Sequence, residues 1–174
     1  MGVEVTINTF AKRQKARVIR VVLHGVSNTF KEKKMGVVKG AAARTKMYAE
    51  IARATGRKLH IVELGPSAGL NLNWDRYAYR YVHAGGRVLE GGPRSRLTIE
   101  SEWRGEVPPP VPAEPPAVAA RIGLELNPVD LASAEDRRWL VALLWPGRPE
   151  RIARMEAALA VAADHPPPIR GGDA

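Results

Sequence analysis

The sequence predicts an α/β domain built in three layers, and three observations lead to that class. Short runs of β-branched and apolar residues, of the length of strands, alternate with longer stretches of helical periodicity. Clusters of glycine and proline separate these runs, as they do at turns. The chain of 174 residues is 45% hydrophobic, which suffices for one domain with its own core.

Composition narrows the classes of function. The absence of cysteine excludes disulfide bonds, catalysis by a thiolate and cysteine zinc sites, and we predict no metal site. No apolar run approaches the roughly 20 residues that a membrane span needs. Residues 1–15 contain neither the apolar core nor the cleavage site of a signal peptide. We therefore expect a cytoplasmic protein that does not enter a membrane.

The net charge of +9 is concentrated near the start of the chain. Residues 1–58 hold 14 Lys and Arg against 3 Asp and Glu, whereas the rest holds 13 against 15. Such a segment attracts nucleic acid, but its three aromatic residues are few for base stacking. A solvated basic face is the favoured interpretation, with nucleic-acid binding left open. We divide the chain into a basic segment, residues 1–40, and a domain, residues 41–174.

The first half of the chain predicts strands, a helix and a buried strand in that order. "VEVTINTF" and "ARVIRVVLHG" are β-branched and predict two short strands. From about Ala41 to Thr55 the apolar residues recur at helical spacing, and Gly56 suits the left-handed position after a helix. "KLHIVEL" is a short apolar run typical of a buried parallel strand.

The middle of the chain predicts an inserted β-hairpin over residues 75–105. "RYAYRYVHAGG" and "RLTIESEW" alternate in polarity on either side of a glycine-rich connection. Tyr77, Tyr79 and Tyr81 share one face of the first strand, where we expect half-buried packing. The six prolines of "VPPPVPAEPP" in residues 107–116 predict an extended surface connector, because proline cannot join a ladder.

The last third predicts strand, helix, helix and strand. "VAARIGLELNP" indicates a second buried strand, and "PPPIRGGDA" a third, short one. Ser133 followed by Asp136 marks a helix start, and residues 151–163 form the next helix. We assign Trp139 and Trp145 to the core. The inward faces are predicted to hold Trp139, Leu140, Leu143 and Leu144 in the first helix, and Ile152, Met155 and Leu159 in the second.

The stretch "ELGPSAGLNL" contains a glycine turn, Gly65–Gly69, that has two interpretations. As a G-x-S-x-G elbow it would present Ser67 as the nucleophile of a serine hydrolase. That fold needs an acid and then a histidine downstream. Asp130 is the candidate acid, while His83 comes too early and His165 directly follows another acid. The hydrolase remains an alternative with few of its parts in place.

In the second interpretation the glycine turn binds a nucleotide-like cofactor. Glu63 at the strand end, followed by Gly65 and Gly69, resembles the cofactor loop of class I S-adenosylmethionine methyltransferases. Glycines there let the chain turn sharply and the ligand approach the backbone. Ser67 stands where these enzymes have their central glycine. A short helix in "AGLNLNW" would add its N-terminus to the binding of the cofactor.

Two further strand ends match in the same order. "IGLELNP" resembles the end of the second methyltransferase strand, where a carboxylate accepts from the ribose hydroxyls, here Glu125. "IRGGDA" resembles the third strand end, where an acid lies beside adenine, here Asp173. The resemblance implies that the glycine turn takes the amino acid part of the cofactor. It also implies that Glu63 orders the turn or binds the ammonium group.

From about Ala41 onward the chain resembles an uncharacterised bacterial family, domain-of-unknown-function family 2332. The resemblance rests on "IVELGPSAGLNLNWDRYAY", "EWRGE", "GLELNPVDLASAEDRRWLVALLWPGRPERIARMEAAL" and the final "GGDA". It implies a Rossmann-like, methyltransferase-like sheet that is truncated at its C-terminal end, because the family continues past "GDA". The first strand of such a sheet would be an exposed edge. We expect residues 16–23 or a second copy of the chain to cover it.

The resemblance implies an S-adenosylmethionine-binding, methyltransferase-like protein whose methyl acceptor is unknown. We name no catalytic residue, since methyl transfer depends mainly on alignment and requires none in this segment, and leave open whether the chain is an enzyme. A non-catalytic fragment or interaction module is the first alternative, and the Ser67 hydrolase is the second. The residues considered for an acceptor site, with packing as the favoured role, are Tyr77, Tyr79, Trp103 and Arg104.

Overall fold

Two β-sheets, three α-helices and one 3₁₀ helix form the part of the chain that the structure describes. The computed structural model describes residues 6–7, 18–23, 39–103, 106, 108–109, 111–145 and 147–172, with side chains from Thr45 onward apart from that of Lys46. The strands are β1 (Thr6–Ile7), β2 (Val18–Leu23), β3 (Lys58–Leu64), β4 (Ala78–His83), β5 (Val88–Gly91), β6 (Thr98–Trp103), β7 (Val118–Glu125) and β8 (Ile169–Gly171). The helices are α1 (Lys39–Thr55), the 3₁₀ helix (Leu70–Arg76), α2 (Ala134–Ala142) and α3 (Pro149–Asp164).

The larger sheet has the order β1-β2-β3-β7-β8, and its last four strands are parallel. β2 pairs with β3 from Val18 opposite Lys58 to Leu23 opposite Glu63. This confirms the expectation that an N-terminal strand covers the edge of β3. On its other side β3 pairs with β7, so that Leu64 lies opposite Leu124. The carboxyl ends of β3, β7 and β8 therefore lie side by side.

The smaller sheet has the order β5-β4-β6 and corrects the predicted hairpin. β4 and β6, the two strands expected to pair antiparallel, run parallel, and Tyr79 lies opposite Ile99. The antiparallel partner of β4 is β5, because Gly86 bonds back to His83 in a tight turn that returns the chain at once. β5 therefore occupies one edge of β4, and β6 takes the other after a second reversal at Gly92, whose φ is 83°.

The tyrosine stripe of β4 is part of the core. Tyr77, Tyr79 and Tyr81 are each at most 3% exposed, so the expected packing role is confirmed and the burial is deeper than half. The Tyr79 hydroxyl donates to the carbonyl oxygen of Trp74 at 2.6 Å. The Trp74 ring in turn lies 4.7 Å from that of Tyr48 on α1. The smaller sheet is thereby joined through the 3₁₀ helix to α1.

The helix boundaries follow the capping signals in the sequence. α1 ends before Gly56, whose φ is 65° and whose amide donates to the carbonyl oxygen of Ala52 at 2.7 Å. α2 begins after Ser133, whose hydroxyl accepts from the amide of Asp136 at 3.2 Å. Both predicted ends are confirmed. Among the described residues, no helix is long and apolar enough to cross a membrane.

The prediction that Trp139 and Trp145 belong to the core is wrong. Trp139 is 53% exposed and Trp145 is 76% exposed. α2 has nine residues and packs through Leu140, its one buried residue in the described chain. Trp139 and Leu143 are four residues apart and therefore lie on the same side of the helix axis. Both are exposed, because the apolar surface of α2 is wider than the surface that packs against the core. The expected inward positions of Leu143 and of Ile152 are also wrong, since these residues are 58% and 37% exposed.

The connector that contains the six prolines contributes to packing where the structure describes it. Val111 is partly buried against the core. The carbonyl oxygen of Pro112 accepts a hydrogen bond from the amide of Gly92 at 3.1 Å. A proline carbonyl can still accept although its nitrogen cannot donate. The connector therefore lies across the end of β5.

Candidate functional site

The glycine turn follows directly from the carboxyl end of β3 and has an unusual backbone. Gly65, Ser67 and Gly69 have φ values of 64°, 56° and 68°, and Ser67 is the one non-glycine residue with positive φ in the described chain. The amide of Gly65 donates to the carbonyl oxygen of Leu124 at 2.8 Å, which pins the start of the turn to β7. Left-handed backbone is costly for serine, so the surroundings must hold it in place.

Glu125 is the residue that holds the centre of the turn. Its Oε2 accepts a hydrogen bond from the amide of Ser67 at 2.7 Å, and its Oε1 has a long contact of 3.4 Å with the amide of Asn127. Two predicted site residues that lie 58 positions apart in the sequence are thus in contact. A carboxylate has about four acceptor positions, so Glu125 keeps capacity for further donors.

Glu63 lies deeper than Glu125. It is 2% exposed and sits in the sheet opposite Gly123 of β7. A buried carboxylate at the end of a central strand is costly unless it is hydrogen-bonded or paired. Glu63 is therefore a buried residue of β3, two positions before the glycine turn, whereas Glu125 bonds to the turn itself.

The end of the glycine turn contacts the segment that leads into β8. A Cβ atom added to Gly69 would lie 2.8 Å from Cδ1 of Ile169, so a larger residue would collide there. The side-chain amide of Asn73 donates to the carbonyl oxygen of His165 at 2.8 Å. At the far end of β8, the amide of Gly172 donates to the carbonyl oxygen of Glu125 at 3.0 Å. The end of β8 therefore adjoins Glu125, and Asp173 lies outside the described residues.

One face of β7 contacts the turn and the 3₁₀ helix at three successive positions. Arg121, Gly123 and Glu125 alternate along the strand and share a face. Gly123 leaves room for Pro66, whose Cγ would be 2.6 Å from an added Cβ. Sequence reasoning identified Glu125 and missed Arg121 and Gly123. The available signal was an arginine and a glycine on one face of an otherwise apolar strand.

The helix that was expected to assist the glycine turn has a different form. Leu70–Arg76 is a 3₁₀ helix of seven residues, with non-helical torsion angles at Asn73. A short, interrupted 3₁₀ helix does not align its peptide dipoles as an α-helix does. A helix is therefore present where it was expected, but as a 3₁₀ helix it offers a weaker dipole than an α-helix would.

The structure has one feature of a serine hydrolase, the left-handed backbone of Ser67, but the described residues place no histidine as a base beside it. The positive φ of Ser67 suits a strained nucleophile. Among the described residues, however, no hydrogen bond joins the Ser67 hydroxyl to a histidine. Nδ1 of His83 accepts from the amide of Gly85 at 3.1 Å, and its ring packs on Trp103 at 4.6 Å. His165 follows α3 and contributes its carbonyl oxygen to Asn73.

The residues considered for an acceptor site have packing roles where they are described. Tyr77 donates from its hydroxyl to the carbonyl oxygen of Leu70, and Tyr79 donates to that of Trp74. Trp103 is 4% exposed and lies under the guanidinium of Arg87. Arg104 lies outside the described residues.

Replacing Gly123 by alanine is expected to lower the free energy of unfolding by about 1–3 kcal/mol, because the new methyl group would push Pro66 and the glycine turn off β7. Gly171→Ala is the matched control, since its added Cβ meets Pro128 at an ordinary 3.4 Å. Urea denaturation followed by circular dichroism measures both. Equal losses in the two variants would contradict the close contact at Gly123.

The fold and the site define an α/β protein in which a glutamate at the end of one parallel strand accepts a hydrogen bond from a glycine turn at the end of the neighbouring strand. The chain belongs to the bacterial family described as "Uncharacterized protein conserved in bacteria (DUF2332)", whose model matches residues 36–174. No curated protein and no solved structure matches the chain.

Proposed function

We propose that the chain binds S-adenosylmethionine at the edge formed by the carboxyl ends of β3, β7 and β8, as a Rossmann-like, methyltransferase-like protein. The carrying observation is the hydrogen bond between Glu125 and the amide of Ser67, which unites two elements that the sequence assigned separately to this ligand. Ligands of open α/β sheets bind outside the carboxyl ends of the strands. The parallel order β3-β7-β8 supports such a position.

The charges at this edge favour S-adenosylmethionine over a dinucleotide. Glu125 already directs its carboxylate at the glycine turn, and Glu63 is buried in β3 two residues before the turn. A pyrophosphate bound to the turn would lie next to Glu125 and be repelled. S-adenosylmethionine has cationic sulfonium and ammonium groups and only one carboxylate, so its net charge is positive. Two acidic residues suit this ligand.

In the proposed site the remaining acceptor capacity of Glu125 takes the ribose hydroxyls, while its bond to Ser67 can persist. The glycine turn lies along the amino acid part, and Asp173 is assigned to adenine from the sequence alone. The bound ligand would supply a methyl group for transfer to a nucleophile. The residues of this chain bind and orient the ligand.

The test is calorimetric titration of the chain with S-adenosylhomocysteine, beside Glu125→Ala. Wild type is expected to bind with a dissociation constant on the order of micromolar, and the variant at least about tenfold more weakly, since charge-assisted hydrogen bonds are lost. Glu156→Ala, an exposed carboxylate on α3, is the matched control and should bind as wild type does. A folded wild-type chain that binds no S-adenosylhomocysteine would disprove the proposal, as would full affinity in Glu125→Ala.

The variant Ser67→Gly distinguishes the proposed binding of S-adenosylmethionine from the alternative function as a serine hydrolase. This variant keeps the amide that bonds to Glu125 and accepts the left-handed backbone without strain. Binding of S-adenosylhomocysteine should therefore persist. Hydrolysis of an activated ester by wild type that disappears in Ser67→Gly would instead support a serine nucleophile.

A further inference from the structure

We infer that Arg121 is a positioning residue that fixes the glycine turn in its binding conformation by anchoring the segment immediately after it. The part of this inference that concerns ligand affinity rests on the proposed function. The part that concerns the order of the turn does not. In the described part of the chain the side-chain hydrogen bonds of Arg121 go to Leu72 and Asp75 of the 3₁₀ helix, so its action on the turn is through that helix.

The anchor is a bidentate, largely buried ion pair. Nη1 and Nη2 of Arg121 lie 2.5 and 2.6 Å from the two carboxylate oxygens of Asp75, and the side chains are 16% and 11% exposed. Nη1 also donates to the carbonyl oxygen of Leu72 at 2.5 Å. One guanidinium therefore holds the 3₁₀ helix at two points, three residues apart. Lysine could not reproduce this planar set of donors.

The position of this anchor explains why it should matter for the turn. The strained residues Gly65, Ser67 and Gly69 need restraint on both sides. The upstream side is continuous with β3 and bonded to β7 through Gly65. The downstream side enters the 3₁₀ helix, which is short and kinked and cannot restrain itself. Tyr77, Tyr79 and Asn73 hold this helix through neutral hydrogen bonds. Arg121 adds the charged restraint on that side, at Leu72 and Asp75.

The same face of β7 restrains the turn at two further points. Gly123 receives Pro66, and Glu125 receives the amide of Ser67. Three alternate residues of one strand thus contact the segment from Pro66 to Asp75, two of them in the turn and one in the 3₁₀ helix. A turn held in this way loses less conformational entropy when a ligand binds, which raises affinity without a new contact.

The test uses Arg121→Met combined with Asp75→Asn, so that no unpaired buried charge remains to unfold the protein. Hydrogen exchange of the amides of Gly65, Ser67 and Gly69, each bonded in the structure, reports the order of the turn without ligand. Calorimetric titration with S-adenosylhomocysteine reports affinity. Both are measured at a temperature where circular dichroism shows the variant fully folded.

The double variant is expected to exchange these amides at least about tenfold faster and to bind at least about tenfold more weakly than wild type. Arg121→Lys should give intermediate values. Arg96→Met is the matched control, because its ion pair with Asp164 at 3.0 Å is exposed, and it should leave both readouts unchanged.

A lower melting temperature with unchanged exchange and affinity would overturn the inference, since Arg121 would then be a purely structural residue. Absence of binding by wild type would disprove the proposed function instead. In that case the exchange rates alone would decide for or against Arg121, because they need no ligand.

Discussion

Replacing Trp74 by alanine is expected to lower the free energy of unfolding by about 3–5 kcal/mol. Trp74 is 0% exposed and lies in the 3₁₀ helix. Its ring packs on Tyr48 of α1, and its carbonyl oxygen accepts from Tyr79 of β4. The alanine variant leaves a cavity where three elements meet. Urea denaturation monitored by circular dichroism measures the loss.

Trp145→Ala is the control, because it makes the same substitution at an exposed position. Trp145 is 76% exposed, so its replacement should change stability by no more than about 0.5 kcal/mol. Trp74→Phe retains an aromatic ring and removes a buried indole N–H that has no hydrogen-bond partner among the described residues, so its loss should be smaller than that of Trp74→Ala. Similar losses for the alanine variants of Trp74 and Trp145 would contradict the burial of one and the exposure of the other.

These two tryptophans show what helical and strand patterns can predict. Periodicity identifies residues that share a face, and it correctly placed Leu140 and Met155 inside. It does not say how much of an apolar arc another element covers. Trp139 lies at the side of a short helix and Trp145 lies after it, so tertiary packing alone decides their exposure.

The sequence pattern also predicted which residues of a strand share a face, but not which strands pair or in which direction. The alternation of β4 and β6 was correctly predicted, because a half-buried sheet requires it. Their relative direction depends on whether the chain between them can itself form a strand. Four residues, Val88–Gly91, do so, and the expected hairpin becomes a three-stranded sheet.

The candidate site was predictable where it depends on strand ends. Parallel strands bring their carboxyl ends to one edge, so Glu125 could be expected near the glycine turn from order alone. Arg121 and Asn73 could not, because their partners Asp75 and His165 do not lie at the strand ends that the parallel order brings together. Such polar contacts depend on the packed structure and leave no local pattern.

The stability of the protein is expected to fall steeply above about pH 10, where an exposed tyrosine ionises. Burial raises the pKa of Tyr81 to about 12. Burial also raises the pKa values of Tyr77 and Tyr79, and the negative charge of Asp75 adds to both. Between about pH 10 and about pH 12 the unfolded chain releases these protons while the folded chain keeps them. The contribution of the three neutral hydroxyls is therefore complete below about pH 10 and is lost as the pH rises.

Each tyrosine should lower the free energy of unfolding by about 1.4 kcal/mol per pH unit in this range, and the three together by about 4 kcal/mol. Urea denaturation between about pH 8 and about pH 11, with tyrosinate absorbance recorded on the same samples, measures the slope. Tyr81→Phe should reduce the slope by about one third, because one of three linked protons is removed. Tyrosinate absorbance from these residues near pH 10 in a chain that is still folded would show that their hydroxyls are open to solvent, and the dependence would then have another cause.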